Sequence, residues 1–164
     1  MKTLLILRHA KSSWKEPGLD DHDRPLNKRG KRDGPRMGRL LHEKHLLPDV
    51  VISSSATRAL HTTRLALSAA QCDVEPIVTP ELYLAQPLEY VRLLAGLDDG
   101  LERAMVVGHN PGVEDLVMLL TGADETMPTA ALACVELQVE RWSDLRAKPV
   151  HRLLGLWRPK ELPS

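Results

Sequence analysis

Four short apolar runs punctuate this chain: Thr3–Leu7, Val50–Ile52, Val74–Val78 and Ala104–Val107. Segments with helical spacing lie between them. Met37, Leu40 and Leu41 form one stripe, and Ala59, Thr63, Ala66 and Ala70 form another. Strands apolar on both faces, separated by helices, fit a parallel sheet covered on both sides. The third run is the weakest, because Pro76 breaks it. The last third reads differently. Ala131–Val139 and Arg152–Trp157 are strand-like, and the short link region around Trp142-Ser143-Asp144 leaves no room for a helical crossover. These two strands are expected to pair antiparallel. The predicted fold is α/β: a three-layer α/β/α sandwich with a mostly parallel central sheet and an antiparallel C-terminal edge. At 164 residues the chain suits one domain, 1–164.

Composition removes several function classes. Acidic and basic side chains balance at 22 each, so no global field recruits nucleic acid or an acidic membrane. Aromatic residues make up only 3%, with no Phe, which argues against a stacking platform for single strands. Cys72 and Cys134 lie far apart and form no metal-spaced pair, so they read as buried thiols of a cytosolic protein. The apolar stretch Leu4–Leu7 is too short for an export signal, and no stretch reaches the ~20 residues of a membrane span. The expectation is a soluble, cytoplasmic protein with no nucleic-acid or membrane partner.

The strand ends carry the chemistry. Ligands of open α/β sheets bind at the carboxyl ends of the strands. The first run delivers Arg8-His9 there. The second ends in Ser53-Ser54-Ser55, good helix caps, and Arg58 falls in the first turn of the helix that follows. The fourth ends in Gly108-His109-Asn110-Pro111-Gly112, where Asn110 suits a cap and Pro111 a first helical position. Two guanidinium groups and two imidazoles at one sheet edge suit phosphoryl transfer. Arginines fork onto the oxygens, one histidine attacks phosphorus, and the other donates to an oxygen. A zinc site from the same histidines is disfavoured, since no third ligand stands at metal spacing and two arginines repel a cation. No metal or organic cofactor is implied.

The chain resembles the histidine phosphatase superfamily, the phosphoglycerate-mutase-like enzymes. The matching residues are Arg8-His9-Ala10, Arg58 within Ser-Ser-Ala-Thr-Arg-Ala, and His109 within Gly-His-Asn-Pro. Ala10 stands where the family signature has Gly. Arg-His-Ala-Lys-Ser-Ser-Trp at 8–14, Asp-Arg-Pro-Leu-Asn at 23–27 and Lys-Arg-Gly-Lys-Arg-Asp at 28–33 are similar to the SixA branch, the small phosphohistidine phosphatases, which commonly accept Ala at that position. The resemblance implies that His9 is the nucleophile that becomes phosphorylated, and that Arg8, Arg58 and His109 bind the phosphoryl oxygens. Arg24 would either fold back toward the pocket or pair with a neighbouring aspartate, and Ser12 would add a hydroxyl contact. Glu81 is the nearest positional candidate for a general acid, the alternative being a surface glutamate. The SixA branch has no evident acid, and a labile P–N bond needs less acid help than an alkyl ester.

The implied substrate is a phosphohistidine on a phosphotransfer protein. The alternatives are a small phosphomonoester, or a catalytically weak module that binds phosphoproteins. Only about 25 residues separate the third and fourth runs, too few for a large lid, which favours a protein substrate. Residues 11–27 form a long loop after the nucleophile and could still cover the pocket. The following helix begins either near Asn27, with a kink, or near Pro35. Its basic residues, Lys28, Arg29, Lys31, Arg32, Arg36 and Arg39, read as a solvated face or as a landing patch for an acidic partner.

Overall fold

Lys2–Arg8 is buried along almost its whole length and forms β1 at the centre of a six-stranded sheet. The computed structural model describes residues 1–163. The remaining strands are β2 (Val50–Ser54), β3 (Ile77–Thr79), β4 (Arg103–Gly108), β5 (Leu132–Leu137) and β6 (Arg152–Trp157). The sheet order is β3-β2-β4-β1-β5-β6. The first four strands run parallel, β5 is antiparallel to β1, and β6 is antiparallel to β5. This is the mostly parallel sheet with an antiparallel edge that the apolar runs predict. The third run differs in detail. Its strand begins after Pro76 and lies at the sheet edge, where Ile77 and Val78 are exposed. An edge strand needs no second buried face, so its pattern is weak.

Alternation along the strands sorts the core into two layers. Leu4, Ile6, Val50, Ile52 and Val106 face α3 (Pro87–Ala95) and α4 (Gly112–Thr121). Leu5, Leu7, Val51, Met105 and Val107 face α1 (Lys28–Glu43) and α2 (Thr57–Ala70). Helix α1 starts at the earlier of the two expected positions. The Asn27 side chain accepts the Gly30 N–H at 2.9 Å, and Pro35 lies inside the helix. Met37, Leu40 and Leu41 are buried against the sheet, and the Arg and Lys side chains face outward. A Cβ at Gly38 would collide with the Ala66 carbonyl, so glycine permits the close approach of α1 to α2. Among the described residues, no helix is long and apolar enough to cross a membrane.

Candidate active site

Strand register places the two histidines side by side. In the parallel β1–β4 pair, Arg8 lies opposite Gly108, so the next residue of each strand leaves the sheet at the same level. These residues are His9 and His109, and their ring centroids are 5.0 Å apart. Strand β2 pairs Ser53 with Val107, which carries Ser54 to the level of Gly108, one residue before His109. Ser54 Oγ lies 2.8 Å from His109 Nε2. The helix after β2 then presents Arg58, which is buried. A Cβ at Gly108 would strike the Tyr90 ring and hydroxyl, so this strand end also needs glycine.

The hydrogen bonds assign the His9 tautomer. Its Nδ1 lies 2.7 Å from the Ala10 carbonyl, which can only accept. Nδ1 therefore carries the proton, and the lone pair is on Nε2. Burial pushes the His9 pKa down to about 3, with the Ala10 bond opposing and His109, Arg58 and Arg8 adding to the depression. His109 is lowered to about 4, again chiefly by burial. Both rings are neutral near pH 7. Arg8 donates from Nη1 to the Met127 carbonyl at 3.0 Å. Arg8 Nε and His109 Nδ1 are buried and meet no acceptor among the described residues.

The loop after β1 folds against the cluster. Arg58 donates from Nη1 to the Asp21 carbonyl at 2.6 Å and from Nη2 to Asp21 Oδ2 at 2.9 Å. Asp21 Oδ2 also accepts from the Tyr83 hydroxyl at 2.6 Å, and Oδ1 accepts from Arg24 Nη1 at 2.9 Å. Hydrogen bonds from Tyr83, Arg58 and Arg24 hold the Asp21 carboxyl well below the usual carboxylate range. Residues 11–27 thus reach the phosphoryl-binding candidates even though no large insertion follows β3.

The other candidates sit further out. Arg24 combines its two expected settings: it pairs with Asp21 and, through that carboxylate, joins Arg58. It also donates to the Ser13 carbonyl and to Ser12 Oγ, and it stacks 3.1 Å from the Trp14 ring centre. Ser12 is engaged by Arg24 and makes no hydrogen bond to His9, Arg8 or Arg58. Glu81 pairs with Arg92 of α3 at 2.8 Å and makes no hydrogen bond or ion pair to the histidines, Arg8 or Arg58. The caps also differ from expectation. Asn110 donates to Glu114 and to the Met127 carbonyl rather than accepting at the start of α4, whose cap position is Pro111. Among the described residues, no group of three His, Cys, Asp or Glu side chains could hold a metal ion.

Sequence reading missed Asp21, Tyr83 and Ser54 as parts of this cluster. Asp21 was hidden in a run of turn formers, and Ser54 in a serine triplet that reads equally well as a cap.

Comparison with known proteins bears on the family and the fold. The family model of the histidine phosphatase superfamily (branch 1) matches residues 4–83. An uncharacterised protein of Mycobacterium tuberculosis is 31% identical over 150 residues, covering 85% of this chain and 91% of its own length. A candidate phosphohistidine phosphatase SixA from Agrobacterium tumefaciens superposes with a TM-score of 0.83 at 28% identity, over 96% of this chain and 98% of that one. The protein histidine phosphatase SixA in complex with tungstate shares the fold, with a TM-score of 0.84 at 22% identity over 98% and 99% of the two chains. With the histidine pair, the arginines and the strand order that delivers them already in place, the chain belongs to the histidine phosphatase superfamily.

Proposed function

We propose that the protein is a phosphohistidine phosphatase that works through a covalent phosphohistidine on His9. One observation carries the reading. The neutral His9 ring keeps its Nε2 lone pair, while in the same cluster Arg8 Nε is a buried donor without an acceptor and His109 Nδ1 is buried without a hydrogen-bond partner. Buried donors ordinarily find partners, and the oxygens of a phosphoryl group would supply them. In the first step His9 Nε2 bonds to phosphorus and the substrate P–N bond breaks. The leaving imidazole keeps that electron pair and takes a proton from water. In the second step water attacks the phosphoenzyme, inorganic phosphate leaves, and His9 returns neutral. Because imidazole is a good leaving group, the absence of a contact between Glu81 and the histidines suits this substrate. Two unpaired thiols suit the reducing cytoplasm.

A small phosphomonoester is the second reading, favoured by the fold of the loop after β1, whose Asp21 bonds to Arg58 through both its carbonyl and its carboxylate. A substrate panel separates the two. The expected result is rapid release of phosphate from a chemically phosphorylated histidine protein, slow turnover of sugar phosphates, and alkali-stable labelling of His9. His9→Ala should lose at least about 10³-fold in rate, the cost of removing a covalent nucleophile. Equal or faster turnover of sugar phosphates would overturn the substrate assignment. Binding of the phosphoprotein without labelling or turnover would mark a recognition module instead.

A further inference from the structure

The segment Met127–Ala130 joins the histidine pair to a second feature. The Met127 carbonyl accepts from Arg8, and the Ala130 N–H donates to the His9 carbonyl at 3.0 Å. Between them, Pro128 and Thr129 line part of a groove of about 1060 Å³. The groove runs along the outer side of α1 to the C-terminal segment around Lys160 and Leu162. Thr129 is tied to α1 by Arg29 at 3.2 Å.

Charge in this groove is strongly one-sided. Its lining carries five cations (Arg29, Arg32, Arg36, Arg39 and Lys160) against two carboxylates, Asp33 and Glu43. The buried Asp33 is shared by Arg29, Arg32 and Arg36 at 3.5–4.0 Å, so one negative charge answers three guanidinium groups. Arg39 and Lys160 are exposed and enter no ion pair among the described residues. A chain with no net charge has therefore gathered positive charge in a groove whose Pro128-Thr129 lining is flanked by the contacts to Arg8 and His9. The groove is also not purely polar, since the half-buried Leu162 and the exposed Pro163 contribute apolar surface beside the basic side chains.

We propose that this groove docks an acidic, amphipathic segment of the phosphoprotein substrate and so holds its phosphohistidine toward His9. The proposal rests on the phosphohistidine-phosphatase reading and names the partner surface for it. Arg32 and Arg39 stand two helical turns apart, roughly 10 Å along α1, a spacing that acidic residues on a partner helix would match, while Arg36 between them donates to the Leu162 and Pro163 carbonyls. The apolar surface takes the other face of that helix, as in other helix-in-groove contacts. Nucleic acid fits less well, because the chain has few aromatic side chains on which bases could stack.

Two fluorescent peptides test this with the full chain, each bearing one phosphohistidine followed by two helical turns. In one the flanking polar residues are glutamate, in the other glutamine. Both are prepared with and without the phosphoryl group. The unphosphorylated glutamate peptide should bind about tenfold tighter than its glutamine partner at low salt, and the difference should vanish at high salt. Arg39→Glu with Lys160→Glu should abolish that preference, and in turnover should raise the KM of the glutamate peptide relative to the glutamine one about tenfold, with kcat held. Thermal unfolding checks that the double variant is folded. Equal binding of the two peptides by the unaltered protein, or the same preference in the folded variant, overturns the docking surface. So does tighter binding of a single-stranded oligonucleotide than of the glutamate peptide. Turnover of neither phosphorylated peptide overturns the phosphatase reading, while the binding measurements still decide the groove.

Discussion

Ser54 Oγ accepts the Ala56 N–H at 3.2 Å and lies 2.8 Å from His109 Nε2. With the Ala56 N–H as donor, the hydroxyl hydrogen is free to point at the imidazole. With the hydroxyl hydrogen in that direction, Nε2 accepts and the ring proton sits on Nδ1, the nitrogen without a protein partner. A second buried hydroxyl braces the same strand end, since Thr63 donates to Ser53 Oγ or to the Ala59 carbonyl. Ser54→Ala removes the group that holds the His109 tautomer while leaving the two arginines and His9 in place. The expected outcome is a roughly tenfold to hundredfold fall in kcat, with a smaller change in KM, because the lost proton orientation matters most when charge builds on the phosphoryl oxygens. Steady-state kinetics check it. An unchanged kcat would mean that His109 needs no such partner.

At the scale of elements, the loop after β1 meets the arginines through one carboxylate. Asp21 takes Arg58 and Arg24 together with the Tyr83 hydroxyl, so an incoming phosphoryl group shares or displaces a negative charge already on the same guanidinium. Asp21→Asn removes that charge and keeps the side-chain shape. Inorganic phosphate should then bind about three- to tenfold tighter, measured as product inhibition or by calorimetry. Weaker binding would show instead that Asp21 orients the arginines for the anion. A second contact couples α3 to β4. A Cβ at Gly108 would strike the Tyr90 hydroxyl, so Gly108→Ala should destabilise the fold by about 1–3 kcal/mol. In the Tyr90→Phe background the penalty should shrink, since the closest clashing atom is gone. Urea unfolding of the two singles and the double measures that coupling, and strict additivity would place the strain elsewhere.

The same elements explain what was legible in the sequence. Strands β1, β2 and β4 are buried on both faces and read as unbroken apolar runs, so their ends, and with them Arg8, His9, Arg58 and His109, could be located from the chain alone. Strand β3 could not be bounded, because an exposed edge imposes no apolar pattern. Asp21 was illegible for a different reason. Its role depends on where a long loop lands, and three aspartates within four residues are interchangeable as turn formers until Arg58 and Tyr83 select one. Asn27 and Pro35 gave competing helix starts, and the cap bond to Gly30 decides between them.

For the molecule as a whole, holding two neutral imidazoles in a buried cluster links the reactive site to acid stability. His9 and His109 have an ordinary pKa of 6.5 when exposed in the unfolded chain, and about 3 and about 4 when folded. Above pH 6.5 both are neutral in either state, and their burial is tolerated in full. Below it the unfolded chain takes up protons that the folded chain refuses, so stability falls with falling pH until the folded values are reached. Each histidine contributes a slope of roughly 1.4 kcal/mol per pH unit inside that window. His61, lowered by partial burial, acts in the same direction. Asp21 titrates lower still, because its depressed carboxyl contributes stability that is lost only below the ordinary carboxylate value of 3.8. The window between pH 6.5 and about 4 therefore reports chiefly on the histidines. Urea unfolding at several pH values should show a stability that declines across this window. His9→Gln and His109→Gln should each flatten the decline by about 1 kcal/mol per unit whatever their own stability at pH 7, because a neutral amide takes up no proton. A slope unchanged in both variants would mean that the imidazoles protonate as readily in the folded protein as in the unfolded chain, and that the cluster is open to water.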